Sequence, residues 1–456
     1  MRGAENRDFF RELMRIVFPI AMQALLSSLV SASDALMLGF LDQSSLSAIS
    51  LATQVQFVLH LFQASFMIGA SVLAAQYWGL RDRDTIERVL GLSLRISVPV
   101  SALFTAAALF APGLLMRIFT SDPDLISRGI PYLRIVSASY LLTGISQMYL
   151  NIMKNSGRVA RSSAYASAAV ALNIALNLIL IFGLLGMPAL GIRGAALATV
   201  LARVVELALC LIENRKPEVV KLRLRSCLRA DSVLRKKFYH YMAPVLANMI
   251  AWGGGVTMFS VIMGHLGSDA VAANSVTNII RNLLLCFCTG VSSGTGVLVG
   301  NLLGAGELEK AKAYGRKLML SAVGFGAVAG FLILALRPLV LHFSGTLTEQ
   351  ARSYLSGMLL ISSYYVIGKS LNSAMVSGLF CAGGDTRFGF LCDLINMWVF
   401  IIPLASLAAF VLKWPVMAVY FILSLDEICK IPIEIRHYRK YKWLKNLTDT
   451  EKGETA

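Results

Sequence analysis

Two stretches of the chain repeat one pattern. Gly69–Asp82 reads GASVLAAQYWGLRD, and Gly294–Glu307 reads GTGVLVGNLLGAGE, 225 residues further on (294 minus 69). The same offset pairs a proline and further glycines: Pro19 with Pro244, Gly39 with Gly264, and Gly79 with Gly304. Chance matches between apolar sequences fall mainly on Leu and Val, so prolines and glycines aligned at one offset indicate an internal repeat.

The composition indicates that the repeated units lie in lipid. Of 456 residues, 56% are hydrophobic and 15% are charged, and the mean hydropathy is +0.67. A soluble domain has about 45–50% apolar and about 25% charged residues, so the surplus of apolar side chains favours a membrane protein. The net charge of +16 does not indicate nucleic acid as a partner, because the basic residues lie between apolar runs, as membrane topology requires.

Twelve apolar runs are long enough to cross a bilayer, which takes about 20 residues. We predict spans at 16–40, 50–79, 89–110, 131–153, 163–186, 191–213, 244–266, 271–303, 313–336, 354–380, 388–412 and 416–435. The first run lacks a small-residue cleavage site, so we expect it to be retained as a span.

The Lys and Arg residues between the spans are distributed unequally. If Arg193, Arg316 and Lys317 at the edges of two spans are counted with the adjoining loops, thirty of the 42 fall in the N-terminal segment, the alternate loops and the C-terminal segment, and six fall in the opposite loops. Cytoplasmic loops are enriched in Lys and Arg. We therefore expect a multi-pass protein of the plasma (inner) membrane with both termini in the cytoplasm.

The repeat and the spans together predict the architecture. Each half carries six spans, so both halves enter the membrane in the same orientation. We predict an all-α integral membrane fold of twelve transmembrane helices, in two six-helix bundles related as a parallel repeat around a central cleft. The predicted parts are an N-terminal bundle at 1–213, a basic cytoplasmic linker at 214–243, a C-terminal bundle at 244–435 and a cytoplasmic tail at 436–456.

Several motifs resemble one family of transporters. The segments SASDALMLGFL (31–41), GASVLAAQYWG (69–79), GTGVLVGNLLGAGELEKAK (294–312) and CAGGDTRFGF (381–390) are similar to the multidrug and toxic compound extrusion (MATE) family in order and spacing. The resemblance implies a secondary active antiporter that exports amphipathic, often cationic, organic compounds in exchange for Na⁺ or H⁺ by alternating access. It implies no cofactor beyond the coupling ion, small-molecule substrates and a lipid environment, and we expect a monomer.

Asp34 is an ionisable residue inside the first predicted span. It lies about 18 residues into the span, or roughly 27 Å along a helix. Its repeat equivalent is Phe259, so only one half carries this carboxylate. An ionisable group within a span is costly in free energy. Such a group is therefore a candidate for function. Asp34 is therefore predicted to bind an ion or a proton, the alternative being a carboxylate that hydrogen-bonds to neighbouring serines for packing.

The resemblance adds three polar residues of later spans to the site predicted at Asp34. Asn173 and Asn177 stand four residues apart and share a helix face, and Thr199 lies in the next span. The family's N-terminal cation site uses residues at these positions, so the resemblance implies cation or proton coupling at Asp34, Asn173, Asn177 and Thr199, with Na⁺ as the possible metal ion. From the residues alone, helix packing and ligand binding both stay open, as does Na⁺ against H⁺.

The second half differs from better-known branches of the family, because Gly255 stands where many members have Glu. This half instead offers Arg281, Lys369, Asp393, Asp426 and Glu427 within its spans. Unpaired charges at this depth are unfavourable, so we predict a buried ion-pair network. Glu427 is expected to neutralise Arg281 or Lys369, and both a structural and a mechanistic role stay open.

A flippase and a membrane enzyme are the two alternative functions. A flippase for lipid-linked precursors belongs to the same superfamily, but such proteins often have more spans and strongly cationic cavities. A polytopic membrane enzyme would show clustered His, Asp or Glu residues at one interface, and the sequence shows none. The sequence also lacks a P-loop, which favours secondary over ATP-driven transport. We therefore expect a transporter and not an enzyme.

Overall fold

The computed structural model describes residues 2–39, 43–217, 219–223, 232–344 and 347–448. Within these ranges nearly every residue is helical, and no β-strand occurs. Twelve long helical segments follow one another. They are α1 Arg2–Gly39, α2 Gln43–Gly79, α3 Arg83–Phe110, α4 Pro123–Asn155, α5 Val159–Phe182, α6 Ile192–Asn214, α7 Ser232–His265, α8 Ser268–Gly304, α9 Leu308–Phe343, α10 349–380, α11 386–411 and α12 416–438.

The helices confirm the predicted all-α membrane fold. Within the described ranges, nine of them are long and apolar enough to cross a membrane. The remaining three, α4, α10 and α12, carry more polar residues or are divided into shorter pieces. The fifth predicted span runs too far, since α5 ends at Phe182 and Gly183 adopts a φ of 73°. A glycine in this left-handed conformation terminates helices, although apolar residues continue after it.

The last three helices are irregular. Segment α10 runs over Glu349–Ser373 and continues as a π-helix, Ala374–Phe380. Segment α11 comprises Thr386–Leu394, a π-helix Ile395–Ile401, then Ile402–Ser406 and a second π-helix, Leu407–Val411. Segment α12 comprises Val416–Ser424, Asp426–Cys429 and Ile431–Tyr438. Such irregular turns are rare and frequently occur at functional sites.

The chain forms two compact units. The N-terminal unit contains Leu25–Ala74 and Asp82–His240, and the C-terminal unit contains Met1–Ala24, Ala75–Arg81 and Tyr241–Ala456. The core of the first unit includes Leu59, Leu133, Tyr140, Ile181 and Ala196. A core cluster of the second includes Phe9 and Leu13 of α1 together with Val299, Leu318, Phe380 and Trp443. The beginning of α1 therefore packs with residues from the second half of the chain.

The repeat is visible as two equivalent backbone contacts in the C-terminal unit. A Cβ atom on Gly79 would collide with the carbonyl oxygen of Asn301, and one on Gly304 would collide with the carbonyl oxygen of Gln76. Gln76 and Asn301 are themselves 225 residues apart (301 minus 76). Helices α2 and α8 thus approach each other at both glycines, where any side chain would separate them.

We expect Gly304→Ala to lower the stability of the protein. The added methyl group has no space, because it meets backbone that cannot turn aside, and overpacking of this kind costs roughly 1–3 kcal/mol. Gly324→Ala is the matched control, since nothing lies within 4 Å of a Cβ there. Thermal unfolding in detergent should show a lower Tm for Gly304→Ala alone, and equal Tm values for the two variants would contradict the close contact.

Candidate functional site

Asn173, Asn177 and Thr199 lie together in the N-terminal unit. The Nδ2 atom of Asn173 donates to Oγ1 of Thr199 at 3.4 Å, and Nδ2 of Asn177 donates to Oδ1 of Asn173 at 3.5 Å. Both asparagines are buried, and the Thr199 hydroxyl donates to the carbonyl of Ala195 at 3.1 Å. The structure thus brings together three of the four residues predicted for the cation site.

The oxygen atoms of this polar cluster fit a small cation. Its amide and hydroxyl oxygens are hard ligands of the kind that such cations prefer. Asp34 lies in α1, but its side chain falls outside the described part of the structure, so its contacts with the cluster stay a prediction. Across the described residues, no three His, Cys, Asp or Glu side chains are grouped to hold a metal ion.

The same face of α6 continues into a buried ion pair. Thr199, Arg203 and Glu206 are spaced by four and three residues, so they follow one face of the helix. A guanidinium nitrogen of Arg203 lies 2.5 Å from Oε2 of Glu206, as expected for an ion pair at that spacing. Ser146 and Gln147 of α4 donate to Oε1 of Glu206 at 2.5 and 2.9 Å. Glu206 is fully buried, and these three donors compensate its charge.

A second group of charges lies in the C-terminal unit. The ammonium of Lys369 in α10 is 2.8 Å from Oε1 of Glu427 in α12. The ammonium of Lys430 is 3.0 Å from Asp393, 3.4 Å from Asp426 and 3.6 Å from Glu427. These five residues form what we call the charge cluster. Lys430 is its centre, because three carboxylates on two helices share its ammonium.

Two asparagines join the charge cluster to the breaks in the helices. Asn372 donates from Nδ2 to the backbone oxygen of Glu427 at 2.5 Å and to its Oε2 at 2.9 Å. Asn396 donates in the same way to the backbone oxygen of Asp426 at 2.8 Å and to its Oδ1 at 2.7 Å. Backbone carbonyls within the irregular part of α12 therefore receive side-chain donors. Insertion of side chains into the backbone ladder is a recognised cause of helix kinks.

Arg281 lies apart from the charge cluster. Its guanidinium donates to Oδ1 of Asn278 at 2.7 Å and its carbon lies 4.6 Å from the centre of the Tyr365 ring. A cation over an aromatic face is stabilised electrostatically. Of the two basic partners expected for Glu427, the structure therefore gives Lys369, while Arg281 contacts a ring one turn before Lys369 on α10.

Three residues of this site were not assigned from the sequence. Lys430 follows Asp426 by four residues and Glu427 by three, a spacing that predicts ion pairs on one helix and could have identified it. Asn372 and Asn396 have no such signal. Their roles depend on irregular turns that an apolar sequence pattern does not reveal.

We expect Glu427→Gln to destabilise the protein. It leaves Lys369 without its closest carboxylate, and an uncompensated buried charge typically costs about 3–5 kcal/mol. Combining it with Lys369→Met removes the unpaired ammonium, so yield and Tm should recover. Transport by the double variant then distinguishes the two roles, because recovery of fold without recovery of transport would assign the pair to mechanism.

Glu307→Gln is the matched control for this substitution. Glu307 pairs with Lys310 at 3.0 Å, and both side chains are about half exposed. An exposed pair contributes about 0–1 kcal/mol, so this variant should unfold like the unmodified protein. A Glu427→Gln variant as stable as the Glu307→Gln control would contradict the ion pair.

The chain is similar to one family model and to transporters of that family. A model of the MatE family matches the chain twice, over residues 19–179 and 244–407. The matches begin 225 residues apart (244 minus 19), which is the offset of the internal repeat. The uncharacterized transporter YisQ of Bacillus subtilis (strain 168) is 23% identical over 435 residues, covering 95% of each chain. The probable multidrug resistance protein NorM of Thermotoga maritima is 22% identical over 445 residues, covering 97% of this chain and 94% of that protein.

Solved structures share the fold. A crystal structure of MATE in complex with MaL6 superposes with a TM-score of 0.86 at 18% identity, covering 94% of this chain and 96% of the other. A crystal structure of a mutant of the Vibrio cholerae MATE transporter VcmN superposes with a TM-score of 0.84 at 18% identity, covering 97% and 98%. Because the family model covers more than half of the chain, in two matches that coincide with its repeat, this protein belongs to the MatE (MATE) family of multi-pass membrane transporters and is not an enzyme.

Proposed function

We propose that this protein is a secondary active antiporter that exports amphipathic, often cationic, organic compounds in exchange for Na⁺ or H⁺ by alternating access. The observation that supports this most is the buried cluster of Asn173, Asn177 and Thr199, whose oxygens suit a small cation. Relatives named as multidrug resistance proteins support an organic substrate.

The proposed arrangement follows the sequence repeat. The two transport lobes would be residues 1–213 and 244–435, joined by the basic linker 214–243 and followed by the tail 436–456. The excess of Lys and Arg in alternate loops supports a plasma (inner) membrane location with both termini in the cytoplasm. We propose a monomer, in which one chain supplies both lobes.

Dye efflux from vesicles tests this function. The purified full chain is reconstituted, vesicles are loaded with a fluorescent organic cation, and Na⁺ and H⁺ gradients are imposed separately. We expect a Na⁺ gradient, a pH gradient or both to accelerate efflux at equal membrane potential. Efflux that ignores both gradients would contradict antiport, and movement of a labelled lipid instead of the dye would indicate a flippase.

We expect Asp34→Asn to abolish gradient-driven efflux without changing the amount of protein in the membrane. The substitution keeps the shape of the side chain and removes the negative charge that would hold the cation or the proton. The measurement is dye efflux at matched protein levels.

Asp124→Asn is the control for Asp34→Asn. Asp124 forms a surface pair with Arg128 at 3.0 Å, and such pairs contribute little. Its efflux should equal that of the unmodified protein. Normal efflux by the Asp34→Asn variant would remove Asp34 from the proposed site.

We expect Asn177→Ala to raise the ion concentration that gives half-maximal efflux by about tenfold, while dye binding changes little. Loss of one hydrogen bond or ligand contact to a charged group is worth about 1.5–3 kcal/mol. Asn151→Ala is the control, because its amide bonds Met67 and Ser71 of α2 outside the cluster. That variant should lose stability and keep its ion dependence, and identical behaviour of both variants would assign Asn177 to packing.

A further inference from the structure

Glu434 is a buried carboxyl group of the C-terminal unit that lacks hydrogen-bond partners among the described residues. It lies on the last piece of α12, Ile431–Tyr438, and its exposed fraction is 0%. Neither of its carboxyl oxygens has a hydrogen-bond partner among the described residues. An ionised carboxylate in such surroundings is strongly unfavourable, and a group in this position takes up a proton instead.

The neighbouring acids, unlike Glu434, have hydrogen-bond donors and ammonium partners. Glu427 and Asp426 receive the amides of Asn372 and Asn396. Asp393 accepts from Nδ2 of Asn248 at 2.9 Å. Each of the three also lies near an ammonium: Glu427 near Lys369 and Lys430, and Asp393 and Asp426 near Lys430. Among the described residues, Glu434 has neither an amide donor nor an ammonium within ion-pair distance. It therefore differs from the three acids that lie near it.

The charges around Glu434 do not balance if every acid is ionised. Among the described residues, the charged and titratable groups that interact electrostatically with Glu434 include Lys430 and Glu427 of its own helix, Lys369 of α10, and Asp393 and Cys392 of α11, with Asp426 also bound to Lys430. This set contains four carboxyl groups and two ammonium groups. A proton on Glu434 reduces the excess of negative charge without any new partner.

We propose that Glu434 is a proton-binding site of the C-terminal unit, which carries a proton in the conformation described here and releases it to water when the conformation changes. Release leaves a carboxylate on Glu434. Lys430 stands four residues earlier on the same face of α12, so its ammonium is then shared between that carboxylate and the acids that it now contacts. Binding reverses both steps: water supplies the proton, and the ammonium of Lys430 is again shared by Asp393, Asp426 and Glu427 alone.

This inference rests on the proposed antiport and deepens it, since it names H⁺ as an ion that the C-terminal unit exchanges. Neither Glu434 nor Lys430 belongs to the N-terminal cluster of Asn173, Asn177 and Thr199. The two units would therefore bind their ions at separate places, and the proton at Glu434 can be tested without any transport.

Infrared spectroscopy of the purified full chain in lipid tests the bound proton directly. At neutral pH we expect the carbonyl stretch of a protonated carboxylic acid, and we expect that band to lose intensity in Glu434→Gln. Glu309→Gln, which changes an exposed acid of α9, should keep the band. If Glu434→Gln does not fold, Glu434→Asp should fold and shift the band. Spectra unchanged by substitution at Glu434 would overturn the proposal.

Transport then tests the exchange of that proton. In Glu434→Gln we expect efflux driven by a pH gradient to fall to the rate without a gradient, while exchange of dye at equal concentrations persists. Full pH-driven efflux in this variant would overturn the proposal. If the unmodified protein exports no dye under any gradient, the proposed function fails, and the infrared band still decides whether Glu434 holds a proton.

Discussion

Lipid cannot solvate a charge, so each ionised group within the bundles needs a partner supplied by the protein. In the C-terminal unit that requirement converges on Lys430, whose ammonium lies within 3.6 Å of Asp393, Asp426 and Glu427. Helices α11 and α12 must stay in register for these contacts to exist. The irregular turns of α10, α11 and α12 occur in the same region, and Asn372 and Asn396 connect the turns to the charges. Backbone irregularity and charge pairing thus depend on each other.

The two units of this duplicated chain stabilise their internal polar groups in different ways. The N-terminal unit places a neutral cluster of amides and a hydroxyl beside one compensated pair, Arg203 and Glu206. The C-terminal unit concentrates acids and lysines. The backbone contacts at Gly79 and Gly304 have nevertheless remained equivalent. Close helix approach constrains the glycines in both repeats, whereas polar side chains can change in one repeat alone, as the pair Asp34 and Phe259 illustrates.

Much of the fold could be predicted from the sequence, because hydropathy and glycine positions act locally. Partners inside the bundle were harder to predict. Counting residues from the end of a span gives depth in the membrane but not the direction in which a side chain points. For that reason Lys369 and Arg281 were equivalent candidates for Glu427, and only the structure distinguishes the carboxylate contact of one from the aromatic contact of the other. The π-helical segments were not predicted, since they keep an apolar helical pattern, and the start of α1 could not be assigned to the C-terminal unit because that packing depends on tertiary contacts.

Exchange of an ion for an organic compound requires that the two cargoes disfavour each other's binding. Such coupling is reciprocal. An ion that weakens binding of the compound must itself bind more weakly, by the same factor, when the compound is bound. The most direct measurement is the Kd of the purified full chain for a fluorescent organic cation across a series of Na⁺ concentrations and, separately, of pH values. We expect the Kd to rise with Na⁺ or with falling pH. A Kd that stays constant in both series would contradict exchange of the compound for either ion.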